Sequence, residues 1–165
     1  MAAIRTVIFL VLGALGGCGY STTQLFPKKF ESVAIAIFHN NTFYRSLEFD
    51  LTEAIVKQIE LETPYAIVPR GTAQTLLEGT IVKAQQHRLS RQRVGGVPQE
   101  LEFQLVVDFQ WKDLQTGKLI RDRKGLMRVG RYIPTAPLRE PLAVAQHQAS
   151  QSMAEAVISV MRADW

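Results

Sequence analysis

The sequence predicts an α+β fold: a two-layer sandwich in which two amphipathic helices pack on one face of a mixed, mostly antiparallel β-sheet of four to six strands. Three observations carry that reading. Leu101, Phe103, Leu105, Val107, Phe109 and Trp111 alternate with polar residues, the period-two pattern of a strand with one buried and one wet face. Leu47, Leu51, Ile55 and Ile59 recur at spacing four with Glu48, Glu53, Lys57 and Glu60 between them, an apolar stripe on a helix. Leu142, Ala145, Ala149, Met153, Ala156 and Val160 recur at threes and fours, a second helix ending near Arg162.

Each element follows from local chemistry. The run Val33–Phe38 is wholly apolar and β-prone, which predicts a short strand covered on both faces. Asn40-Asn41-Thr42 breaks it, and the first helix follows for about 16 residues. Thr63-Pro64 stops that helix, because proline disfavours helical backbone in the residue before it. Tyr65–Val68 reads as a second short strand ended by Pro69, so the first parallel pairing is expected from a β-α-β crossover. From Leu76 to Arg91 runs a longer β-prone segment with Gly79 inside it. The alternating strand comes next, interrupted only by Val106 on its polar side. Asp113-Leu-Gln-Thr-Gly117 has turn chemistry and Lys118–Arg131 returns as a strand, which makes a hairpin. Pro134, Pro137 and Pro141 mark an irregular crossover into the last helix.

The N-terminus has a different character. Met1–Gly17 has the three parts of a secretory signal: a short start with a positive charge at Arg5, an apolar core from Val7 to Leu15, and small residues at the end. The apolar run is too short for a membrane-spanning helix, which needs about 20 residues. Cys18 is the only cysteine, so no intrachain disulfide is possible. Leu15, Gly16 and Gly17 followed by Cys18 look like a bacterial lipobox, in which the thiol receives a diacylglyceryl group and the peptide is cut before it. Two or more acyl chains give stable anchoring where one is marginal. Gly19 stands where an inner-membrane-retention Asp would stand in many enterobacterial lipoproteins, which favours a periplasm-facing anchor in the outer membrane. The expected organisation is a signal peptide at 1–17, a lipidated N-terminus and tether at 18–30, and a single domain at 31–165.

Composition is ordinary for a folded chain, 47% hydrophobic and 21% charged. The charge is uneven: Lys83–Arg131 carries 11 basic and 5 acidic residues. Between Gly79 and Gln99 no acidic residue occurs, while Lys83, Arg88, Arg91 and Arg93 do, with His87 among them. Strand alternation puts Lys83 and His87 on one face, and likewise Arg91 and Arg93. Arginine forks bind phosphate, so these four cations are the candidate anion site; pairing with Glu100 and Glu102 is the plainer reading. Nucleic acid is disfavoured, because no aromatic stacking ladder accompanies the cations.

Catalytic chemistry finds little support. His39, His87 and His147 are scattered, with no second histidine or glutamate at metal-ligand spacing, so no metal or other cofactor is expected. Gly95-Gly96 lacks the strand-to-helix setting and the Lys-Ser/Thr of a phosphate loop and reads as a hairpin tip. Glu48, Asp50 and Glu53 read as a solvated helix face. The chain is not expected to be an enzyme.

Several segments carry a family resemblance. Cys18-Gly19-Tyr20, Ile37-Phe-His-Asn-Asn-Thr-Phe43 and Leu47-Glu-Phe-Asp-Leu-Thr-Glu-Ala54 resemble the lipopolysaccharide-assembly lipoprotein family, LptE. So do Leu76-Leu-Glu-Gly-Thr-Ile81, Val106-Val-Asp-Phe-Gln-Trp-Lys-Asp113 and Thr116-Gly117. The resemblance implies two helices against a four-stranded mixed sheet. It also implies a lipoprotein that sits partly inside the lipopolysaccharide-translocating outer-membrane β-barrel, helps to assemble and plug it, and binds lipopolysaccharide. Of the family's functional residues only the lipobox cysteine, Cys18, carries over; Lys83, Arg88, Arg91 and Arg93 rest on charge alone. The alternatives are an accessory lipoprotein of another envelope transport system and a lipid-anchored hydrolase, which would need an acid/base pair or metal site that the sequence does not display.

Overall fold

The computed structural model describes residues 26–27, 29–89, 93–94, 97–98, 100–134 and 141–162. In chain order the elements are β1 (Ser32–Ile35), β2 (His39–Asn40), α1 (Leu47–Glu62), β3 (Ala66–Ile67), β4 (Thr75–Arg88), β5 (Arg93–Val94), β6 (Val97–Pro98), β7 (Leu101–Asp113), β8 (Leu119–Tyr132) and α2 (Leu142–Met161). Six strands form one mixed sheet in the order β3-β1-β4-β7-β8, with β2 also on β4. β1 pairs parallel with β3 and β4, and β2 parallel with β4. β4–β7 and β7–β8 are antiparallel. The short pair β5–β6 stands apart from this sheet. The fold is the expected α+β sandwich. The signal segment with Leu15, Gly16, Gly17 and Cys18, together with Arg91, Gly95, Gly96 and Pro137, lies outside the described residues.

The alternation read from β7 sets the layers. Phe103, Leu105, Val107, Phe109 and Trp111 are buried under both helices, while Gln104, Val106, Asp108, Gln110 and Lys112 face the open side. The α1 residues buried against them are Leu47, Leu51, Ile55 and Ile59, the stripe read from the sequence. Glu48 and Asp50 in the first turn suit the positive end of the helix dipole. At the other end Thr63 donates both its amide and its hydroxyl to Ile59 O.

α2 approaches the sheet closely because its inner face is built from Ala145, Ala149 and Ser150 before Met153. Gly130 of β8 meets the backbone of Ala145 there. A further glycine marks a break in β8. Gly125 has φ +65°, and its amide donates to Asp108 Oδ1 at 2.6 Å where the β7–β8 register shifts between Val107 and Phe109.

One expectation fails. Val33–Phe38 is not a single strand covered on both faces: β1 stops at Ile35, β2 resumes at His39, and Ile37 between them is 62% exposed. The cause is that helices cover only one face of the sheet. The interruption turns Phe38 into the core over Gly79, whose missing side chain makes the space. The freed Phe38 amide donates to Thr52 Oγ1 of α1 (3.2 Å), so the break leaves no orphaned donor there. The segment expected as a tether is packed from Phe26 onward. Phe26 stacks edge-on against Tyr65 and Phe30 against Trp111, and Lys29 pairs with Asp113 at 3.5 Å.

Candidate functional site

β4 and β8 bring Arg88 and Arg131 to one end of the molecule. β4 runs toward it, β7 starts from it and β8 returns to it, so Gln86–Leu89, Leu101–Glu102 and Arg131–Tyr132 lie side by side. Both helices begin at this end. Ala145 in the first turns of α2 abuts Gly130, and the turn before α1 is bonded to Gln86. The helix dipoles therefore add positive potential to that of the side chains.

The sequence candidates do not all gather on one face. Lys83 follows a register shift at which Val82 is the extra residue; it pairs with Val106, and His87 with Glu102, so both face the open side. Arg88 pairs with Leu101 and points to the helix side. Arg93 lies in β5 beyond the tip. Lys83 and Arg88 are exposed and have no ion-pair partner among the described residues. Glu102, considered as their neutraliser, instead faces Arg131 of β8 at 4.0 Å.

Beside Lys83 and the Glu102–Arg131 pair, the open side of this end carries an amide cluster. Gln85 donates to Gln104 Oε1 at 2.7 Å, and His87 Nε2 lies 3.1 Å from the same oxygen. The helix side is phenolic. Tyr132 Oη donates to Gln86 Oε1 (2.6 Å), Gln86 Nε2 donates to Tyr44 Oη (3.1 Å), and Tyr44 stands edge-on to Phe103. Burial and then the neighbouring Tyr44 push the Tyr132 hydroxyl above its ordinary pKa, so it stays a neutral donor. Sequence reasoning passed over Arg45 and Phe43 in the turn before α1; the Asn40-Asn41-Thr42 turn signal pointed to their place but not to their exposure.

Among the described residues at this end, no pair of titratable side chains is set as an acid and a base. His39, His87 and His147 lie on a strand end, a strand and a helix, as expected. Among the described residues no three His, Cys, Asp or Glu side chains converge as metal ligands. Glu53 is held below its ordinary pKa chiefly by its bond to Lys57, and Glu48 accepts from Asn40, so these carboxylates form a tied, solvated face. A shallow groove of about 380 Å³ crosses the middle of the open face between His39, Glu78 and Asp108. Glu78 there is bonded to Lys112 and Gln110, each at 2.6 Å, and its carboxyl is lowered mainly by Lys112. What the basic end offers is exposed cations and hydrogen-bond donors: equipment for holding an anion.

A family model described as LptE, lipopolysaccharide-assembly, matches residues 30–163. No curated protein is significantly similar to the chain in sequence. Among solved structures, the PelC dodecamer of Paraburkholderia phytofirmans is similar at TM-score 0.55 and 14% identity, over 86% of this chain and 96% of that one. The hypothetical protein CT253 of Chlamydia trachomatis is similar at TM-score 0.55 and 8% identity, over 80% and 98%. Protein XCC0632 of Xanthomonas campestris is similar at TM-score 0.50 and 10% identity, over 81% and 87%. At such identities the likeness is one of fold.

Proposed function

Because this chain belongs to the LptE lipopolysaccharide-assembly family, we propose that it is an outer-membrane lipoprotein anchored through Cys18. It assists assembly of the lipopolysaccharide-translocating β-barrel, plugs that barrel, and binds lipopolysaccharide on its way to the outer leaflet. The observation that carries this reading is the family match, which spans the folded chain almost end to end. The basic end supports it: Lys83 on the open face and Arg88 on the helix face are exposed without ion-pair partners among the described residues, and both helices begin at the end where Arg88 stands, a setting suited to phosphate groups of a glycolipid. The action is binding and scaffolding, with no bond made or broken. Because the cations are exposed, their attraction is screened over roughly 8 Å at physiological ionic strength.

The test is a lipopolysaccharide titration of the full chain with Arg88→Glu, Arg91→Glu and Arg93→Glu combined. Exposed ionic contacts contribute about 0.5–1 kcal/mol each, and about 1.4 kcal/mol is tenfold in affinity. The expected loss is therefore roughly ten- to a hundredfold, with an unchanged circular-dichroism spectrum and a weaker salt dependence of what binding remains. Wild-type affinity in the triple variant would remove these cations from the site.

A further inference from the structure

Phe43 is 104% exposed, more open to solvent than the side chain in an extended chain, yet it stands on a rigid support. Asn40 Nδ2 donates to Tyr44 O and to Glu48 Oε2, both at 2.7 Å. The Thr42 amide and hydroxyl donate to Asn40 Oδ1 at 2.9 and 2.8 Å, and the Tyr44 amide donates to Thr42 Oγ1 at 3.3 Å. Asn41 N–H is bonded to Ile81 O, and Tyr44 is wedged against Phe103. A turn so tied holds a phenylalanine in water, where the ring contributes nothing to the core.

We infer that Phe43, flanked by Arg45, is the anchor of a protein–protein contact at the basic end, its ring entering an apolar pocket of the partner and Arg45 meeting carboxylate at the rim. The composition is that of an interface centre, where aromatic residues and arginine are enriched. The bonded turn means that little conformational freedom is lost on docking. An anionic lipid surface fits poorly, because the first two turns of α1 next to Phe43 carry Asp50 and Glu53, both exposed. A second copy fits poorly too, since a two-fold contact through this turn would face Arg45 and Arg88 against themselves. The partner is taken to be the barrel of the preceding section, and the inference rests on that reading.

The experiment places a photo-crosslinking benzoylphenylalanine at position 43 of the full chain in its native envelope, with Gln115 in the opposite turn as the control position. The expected result is an adduct of the barrel's mass from position 43 and none from 115. Phe43→Ala should weaken recovery of the barrel with the full chain by about tenfold or more, and Phe43→Trp should restore it. If the wild type does not co-purify with the barrel, the proposed function and this inference fall together. If it does co-purify, but Phe43→Ala retains the barrel fully, or position 43 labels only lipid or a second copy, the inference alone falls.

Discussion

Replacing Gly130 by alanine tests how the helical layer is held to the basic end. A Cβ at this position would overlap the carbonyl oxygen of Ala145 and lie 2.7 Å from its carbonyl carbon. Carbon atoms rest at about 3.5–4.0 Å from each other, so α2 must retreat by about 1 Å. The obstacle is helix backbone, which has no rotamer to change. Retreat would loosen Ala145, Ala149 and Met153 from the sheet, all of them fully buried. Overpacking a core usually costs about 1–3 kcal/mol, and a rigid obstacle puts this case near the upper figure. For a domain of this size that is a fall in Tm of roughly 6–12 °C. Thermal unfolding of the full chain followed by circular dichroism reads it, with Gly71→Ala as control, because a Cβ at Gly71 meets nothing within 4 Å. A Gly130→Ala protein melting within a degree or two of wild type, or a control that falls as far, would refute the account of helix docking.

Three further outcomes are expected. Glu78, bonded to Lys112, and Asp113, whose burial is outweighed by bonds from the Gln115 and Thr116 amides, both titrate below their ordinary values of 4.5 and 3.8. The unfolded chain thus takes up protons first as the pH falls. Their stabilisation is complete above those values and is lost below them, so Tm should be level from about pH 7 to 5 and drop under about pH 4; a Tm that rises in that acid range contradicts it. Tyr65 is shifted the other way, pushed by burial from 10.0 to about 12. Its contribution is complete below pH 10 and fades toward 12, and Tyr65→Phe should flatten that alkaline limb. Separately, Cys18→Ala should release the protein from membranes washed with carbonate, and retention in the pellet would rule out anchoring through that sulfur.

Much of the fold was legible because burial imposes a period. The four residues read as the stripe of α1 are the four that are buried on it, and the odd positions of β7 from Phe103 onward are the covered ones. Where one element has two surroundings the period fails. Val33–Phe38 is apolar throughout, yet the strand ends at Ile35, because Phe38 is needed over Gly79 and Thr52 is placed to receive its amide. β8 hides its faces for another reason. It is an edge strand, broken by the positive φ of Gly125, with Arg121, Arg123, Arg128 and Arg131 along it. At the basic end, alternation alone separates Lys83 from Arg88. That Glu102 goes to Arg131 required the β7–β8 register, which no single-strand pattern contains. The exposure of Phe43 was illegible for the same reason: it depends on where the side chain of Asn40 finds its partners.

The place where the N-terminal segment joins the sheet bears on what Arg88 can meet. The first described residues are pinned at the end away from it: Tyr65 Oη donates to Pro27 O at 3.2 Å, and Phe30 packs on Trp111 near the end of β7. Both helices finish there, with Glu62 and Arg162 paired across their C-termini. β7 alone has 13 residues, so at about 3.3 Å per residue the ends are some 40 Å apart. Eight residue steps from Cys18 to Phe26 reach at most about 28 Å. An anchor at Cys18 would therefore hold the domain by the end opposite Arg88, and Arg88 would approach the anchoring leaflet only if the domain lay on its side. On the helical side, lying down would press Glu53, Glu60 and Glu155 toward anionic headgroups. Upright, Arg88 would stand away from the anchoring leaflet, which suits the role of barrel plug proposed above.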